Sequence, residues 1–234
     1  MVRGFGLDGV GPTGFVVLFR MGEVMIRAVA FDFGNVLSAF SHPRGCQQIA
    51  ALAGPGVSES QVHQWMYGGD LFHQFERGRL SPDEFLAELG RAFQVSDLAA
   101  LRRAYQQIFT RLPESCAVIA RVRLPKFLAS NTDPLHWEEI ERHFSADFAS
   151  FVPGGLLRSY QTGHRKPSPG FFAHLLDRIR QGVGTPELSP EEVLFVDDLP
   201  ENCEAGRECG FAVHWHQNHD AAALEAALRA AGAL

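Results

Sequence analysis

The chain lacks most of the features that mark a specialised protein. Its four cysteines, Cys46, Cys116, Cys203 and Cys209, include no C-x-x-C pair. That argues against a disulfide framework or thiolate metal site, and for reduced thiols in a cytoplasmic setting. The longest apolar run near the amino end, Phe15–Phe19, has only five residues, where a membrane span needs about 20. Glycine, proline and Asp8 interrupt the same region and leave no signal-peptide core. Positive charge is also scarce: 21 Lys and Arg against 27 Asp and Glu give a net charge of −6. Such a balance excludes a surface built for nucleic acid or anionic lipid. No internal repeat or low-complexity tract is present. What remains is an ordinary globular composition, 46% hydrophobic and 21% charged over 234 residues, enough for one main domain with a smaller insertion. Residues 1–24 read as a disordered extension or the product of an upstream start codon, with Met21 and Met25 as alternative starts.

The first strong signal is the apolar run Ile26–Phe33, a buried strand that ends in Asp32 and opens into a turn containing Gly34. Helical signals follow. Ser58–Gln61 and Ser81–Glu84 are capping boxes, the second with Pro82 at the first helical position, and Gly78 stops a short helix over Asp70–Arg77. Ser96 is positioned to cap a helix running to about Phe109, so Ser41–Arg111 is expected to be an all-helical block. Strand and helix then alternate. Strands are expected over Lys126–Ser130, Val193–Val196 and Phe211–Trp215, and helices over Pro134–Phe144, after Ser168 and at the carboxyl end. In the helix opened by Ser168-Pro169, Phe172, Leu175, Leu176 and Ile179 fall at i, i+3, i+4 and i+7. Such alternation predicts an α/β fold, a Rossmann-like doubly wound parallel sheet with helices on both faces.

Four polar clusters sit at the ends of these elements: Asp32, Ser130-Asn131, Lys166-Pro167 and Asp197-Asp198. Ligands in open α/β sheets gather at the carboxyl ends of the strands. Each cluster alone is commonplace turn chemistry; their order, each on a suitable element, is the signal. The segments Phe31-Asp-Phe-Gly-Asn-Val36, Leu128-Ala-Ser-Asn-Thr132, Arg165-Lys-Pro167 and Phe195-Val-Asp-Asp198 resemble the four motifs of the haloacid dehalogenase-like hydrolases. The likeness is closest to the bacterial sugar-phosphate (α-glucose-1-phosphate) phosphatase branch and covers about Ile26–Trp215. It implies a core formed by residues 25–40 and 112–234, and a small helical cap over 41–111.

On this reading Asp32 is the nucleophile of an aspartyl-phosphate intermediate. Two anions must meet, so a Mg²⁺ ion is expected on Asp32, Asp198, nearby Asp197 and the backbone carbonyl of Gly34, with Asn202 bracing it. Ser130 and the backbone amide of Asn131 hold phosphate oxygens, and Lys166 neutralises the transferring group and the Asp32 carboxylate. Phosphatases of this superfamily usually carry a second Asp two residues after the nucleophile, as the acid that protonates the leaving group. Here that position is Gly34. Such help is worth roughly 10²–10⁴ in rate, but a weakly basic leaving group needs little of it. The branch named above shows a similar glycine, and an anomeric oxygen is a better leaving group than an ordinary alkoxide.

His164, His73 and Glu76 are candidate replacements for the acid, although solvent-facing positions explain them as well. His214, His216 and His219 read as a polar strand end rather than a metal site, and Cys203 and Cys209 as packing thiols. Phe72, Phe75, Phe85 and Phe93 belong first to the core of the helical block, one or two of them lining a pocket. The expected activity is magnesium-dependent hydrolysis of a small phosphorylated metabolite, a sugar phosphate being one candidate. No nucleic-acid or membrane partner is expected. The alternatives are a 2-haloacid dehalogenase, which leaves the aspartate pair unexplained, and a phosphate-binding regulatory protein, which only Gly34 favours.

Overall fold

The computed structural model describes residues 24–234. Apart from residue 24, the expected amino-terminal extension lies outside the described residues. The first strand, β1 (Ala28–Phe31), runs directly into the insertion. That segment comprises β2 (Ser38–Phe40), α1 (His42–Ala53), α2 (Glu59–Tyr67), α3 (Leu71–Glu76), α4 (Pro82–Phe93), α5 (Leu98–Gln106) and β3 (Phe109–Arg111). The remainder alternates: α6 (Pro113–Ala120), β4 (Lys126–Ser130), α7 (Pro134–Phe148), β5 (Leu156–Arg158), α8 (Ser159–Thr162), α9 (Pro169–Val183), β6 (Val193–Asp197), α10 (Pro200–Glu208), β7 (Ala212–Trp215) and α11 (Ala221–Ala230).

The main sheet has the order β5-β4-β1-β6-β7, with every pairing parallel. Chain direction across the sheet reverses at β1, and that is where such sheets open a crevice at their carboxyl edge. Alternation along β1 feeds two cores. Val29 and Phe31 pack on one face with Leu128, Trp137, Ile140 and Leu224. Ala28 and Ala30 pack on the other with Phe127, Phe171, Phe172 and Leu175. Burial on both faces explains why β1, β4 and β6 read as nearly continuous apolar runs.

The insertion has its own core, in which Ile49, Phe75, Phe85, Leu89, Leu101 and Tyr105 are buried. Phe75 and Phe85 stack at 4.3 Å. Both capping boxes form, at Ser58 with Gln61 and at Ser81 with Glu84. Asp97 rather than Ser96 caps α5, accepting a hydrogen bond from the Ala100 amide. The helix stops at Gln106, and Phe109–Arg111 is a strand that pairs antiparallel with Ser38–Phe40. The block is therefore not purely helical; a two-stranded ribbon forms its neck. Its far side is seated on the core through the turn at Gly78. There φ is +66° and an added Cβ would lie 2.1 Å from the carbonyl oxygen of Tyr160, so only glycine fits.

Candidate active site

The four polar clusters converge at the carboxyl edge of β1, β4 and β6, around a cavity of about 160 Å³ lined by Asp32, Ser130, Asn131, Lys166 and Asp198. Lys166 is its electrostatic centre. The side chain is 1% exposed, and its Nζ lies 2.8 Å from Asp32 Oδ1 and 2.5 Å from Asp197 Oδ2. The backbone carrying it is braced by the Asn131 side chain, which accepts from the Lys166 amide at 2.8 Å and donates to its carbonyl at 2.9 Å. The Asn131 side chain is thus spent on holding Lys166. Ser130 sits beside it at the end of β4, 2% exposed. Its hydroxyl makes only a long 3.4 Å contact with the Asn131 carbonyl, which leaves it available to an anion.

Asp197 and Asp198 play different parts. Asp197 is fully buried and accepts from Lys166, from the Leu199 amide at 3.0 Å and from Asn202 Nδ2 at 2.9 Å. Its carboxylate is filled from three sides, and its part in this geometry is to orient Lys166. Asn202 holds that carboxylate in turn. Asp198 accepts from Asn35 Nδ2 at 2.8 Å, and Asn35 Oδ1 is 3.1 Å from His219 Nε2. Asn35 has φ +52° in the turn after Asp32, a left-handed conformation that asparagine tolerates better than most residues. Sequence reading missed Asn35; its place in the turn after a strand-end Asp was the available signal.

Three carboxylates face a single ammonium, and their protonation reflects it. Burial pushes the Asp32 carboxyl up to about 8 against the pull of Lys166, with Asp197 and Asp198 adding repulsion. Burial also raises Asp198, which Asn35 opposes. Burial would depress Lys166, yet Asp197 and Asp32 together hold it above its ordinary value. Asp32, Asp197 and Asp198 each offer an oxygen within 4.8 Å of the others. A hard oxygen donor set with surplus negative charge suits Mg²⁺, so the residues present fit that ion. Gly34 lines the same cavity.

Among the candidate replacement acids only Glu76, on α3, reaches the cavity. It is 5% exposed and paired with Arg165 Nε at 2.8 Å. His164 packs against His174 at 5.1 Å, and His73 lies behind Glu76, 3.7 Å from its carboxylate. Neither lines the cavity. The insertion contributes Phe40, His42 and Phe72 instead, while Phe75 and Phe85 stay in its core. Cys203 is buried with its Sγ 3.4 Å from the Asp197 carbonyl, and burial pushes its thiol up to about 12. It is a packing thiol, not a reactive one.

His214 and His216 depart from the expected polar strand end: they are 7% and 1% exposed. Burial drives each imidazole down to about 4, with His216 adding to the effect at His214 and His219 adding to it at His216. A group depressed on folding contributes stability that is present above its unfolded value of 6.5 and lost as pH falls toward 4. The protein is therefore expected to lose stability across that window, at up to about 1.4 kcal/mol per pH unit for each histidine. Urea unfolding at pH 7 and pH 5 should show a smaller loss in His216→Leu; an equal loss would clear the pair of this role.

A model of the haloacid dehalogenase-like hydrolases matches residues 26–210. The chain belongs to that family. It is similar to D-ribitol-5-phosphate phosphatase of Bacteroides thetaiotaomicron, 28% identical over 83% of this chain and 93% of the relative. It is also similar to the sesquiterpene phosphatase astK of Aspergillus oryzae, 27% identical over 79% of this chain and 86% of that protein. A crystal structure of a family enzyme from Bacteroides thetaiotaomicron, in complex with magnesium and inorganic phosphate, superposes with a TM-score of 0.67. It is 20% identical and covers 82% of this chain and 94% of its own. The family assignment makes the chain a hydrolase with an α/β fold of parallel strands, and among the described residues no helix is long and apolar enough to cross a membrane.

Proposed function

We propose that the protein is a magnesium-dependent phosphatase, hydrolysing a small phosphorylated metabolite through an aspartyl-phosphate at Asp32. The observation that carries this reading is Lys166, buried between the Asp32 and Asp197 carboxylates at the sheet's carboxyl edge. An ammonium held there neutralises the attacking carboxylate and still faces the cavity in which a phosphoryl dianion would lie. Ser130 and the amide of Asn131 bind phosphate oxygens. Asp32, Asp198 and the carbonyl of Gly34 would hold magnesium, which supplies the charge that lets a carboxylate approach a phosphate dianion. Asp197 and Asn202 fix the direction of Lys166, and Asn35 fixes that of Asp198.

The phosphatase relatives and the magnesium and phosphate bound by the structural neighbour support the same assignment. A cavity near 160 Å³ suits a small phosphorylated metabolite. A dehalogenase would leave the carboxylate cluster without a task. In the deciding assay, phosphate release from p-nitrophenyl phosphate and a panel of phosphorylated metabolites is measured with Mg²⁺. EDTA is expected to lower release at least about 100-fold and added Mg²⁺ to restore it. A folded protein that releases no phosphate from any ester would sink the proposal.

A further inference from the structure

The site contains an aromatic ring packed against Gly34, two residues after Asp32. A Cβ added to Gly34 would start 3.8 Å from Asp32 Oδ2 and 2.8 Å from Cε1 of Phe40. The ring of Phe40 therefore fills the space into which any side chain at position 34 would grow. Phe40 ends β2 in the neck of the cap and lines the active-site cavity with Phe72, Ile108, Phe109 and Leu199, so this wall of the cavity is largely apolar.

The other titratable groups of that wall are occupied. Glu76 is paired with Arg165. His136 has one ring nitrogen 2.6 Å from Asp133 Oδ2 and the other 3.1 Å from the carbonyl of Tyr105. His42 stacks on Tyr67 at 4.2 Å, and burial pushes its imidazole down to about 4, with His136 and His63 adding to the shift. At neutral pH it is an uncharged ring with no acidic proton to give.

We infer that Phe40 is a specificity-determining residue that restricts the site to phosphate monoesters of weakly basic oxygens presenting an apolar face, phenols foremost. This rests on the phosphatase reading. In the first step an Asp32 oxygen bonds to phosphorus while the ester P–O bond breaks. The electron pair leaves on the departing oxygen, which takes its proton from solvent and not from the protein. Water then attacks phosphorus, the Asp32 carboxylate departs, and the water's proton passes to solvent or phosphate. Without a donor the first step slows as the leaving oxygen becomes more basic.

The test compares kcat/KM, with Mg²⁺, for a series of substituted phenyl phosphates, for glycerol 3-phosphate and for D-ribitol 5-phosphate. For the wild-type chain kcat/KM is expected to fall steadily with the basicity of the phenol, and to be at least about 100-fold lower for the two alkyl esters. Gly34→Asp combined with Phe40→Ala is expected to raise turnover of the alkyl esters at least tenfold and flatten the phenol series. Gly34→Asp alone, with the ring in place, should not. Circular dichroism and binding of vanadate confirm that each variant is folded with an intact anion site. Equal turnover of alkyl and aryl esters by the wild type, or a gain from Gly34→Asp alone matching the double variant, would overturn the role of Phe40 and leave the phosphatase reading standing. No phosphate from any ester would overturn both.

Discussion

Asp32→Asn is expected to lower phosphate release at least about 10⁴-fold, the scale on which loss of a covalent nucleophile acts. The substitution keeps the shape of the side chain and an oxygen for Lys166 to approach, so the loss reports chemistry and not collapse of the site. Stability should hold or rise. Asp32 shares the site with Asp197 and Asp198, and the Lys166 ammonium pairs with Asp32 and Asp197. Burial, with repulsion from Asp197 and Asp198, holds the Asp32 carboxyl up near 8, so the substitution removes no charge below that pH and relieves repulsion above it. Because the native state retains a proton there that the unfolded chain releases, wild-type stability from this group is present at low pH and lost as pH rises from about 4 through 8. The variant has no such group and should show a flatter profile in cation-free buffer. Phosphate release by a folded variant above about 1% of the wild-type rate would remove Asp32 from the role of nucleophile.

The elements that place Asp32 were the easiest to read from the sequence. β1, β4 and β6 are buried on both faces, so each is a nearly continuous apolar run that stops at a polar residue. The helices of the insertion announce themselves by capping boxes, which are local chemistry. Three-residue elements do not. β2, β3 and β5 are too short to display a period, and β2 and β3 form only because the neck of the insertion brings residues 38–40 and 109–111 side by side.

The same reason hid half of the cavity. Phe40, His42 and Arg165 reach it through the docking of two distant segments, and no spacing in the chain encodes that meeting. His214 and His216 were misread because alternation marks a shared face without saying which face. Their partner surface is set by β6, whose Asp197 carbonyl accepts from the His216 amide. Gly34 was visible as a departure, but its steric reason, the Phe40 ring, belongs to the folded chain alone.

Lys166→Met should be the most damaging single change, because one side chain serves both the fold and the chemistry. Methionine matches the length of the aliphatic stem but leaves Asp32 and Asp197 facing each other without a cation. Removing one member of a buried ion pair costs about 3–5 kcal/mol, and here two carboxylates lose the same partner. The penalty should depend on pH in a definite direction. Burial pushes the wild-type Asp32 carboxyl up to about 8 against the pull of Lys166. Without the ammonium that carboxyl rises further, so the variant's stability should fall further behind wild type as pH rises through about 8. Urea unfolding of both proteins at pH 7 and pH 9 measures this. Turnover should fall at least about 10²–10³-fold, as when a fixed donor to developing charge is removed. Lys166→Arg should not restore it, because a planar guanidinium cannot replace a compact ammonium between two carboxylates. A Lys166→Met protein as stable as wild type at pH 9 would mean that the two carboxylates are not held in check by this lysine.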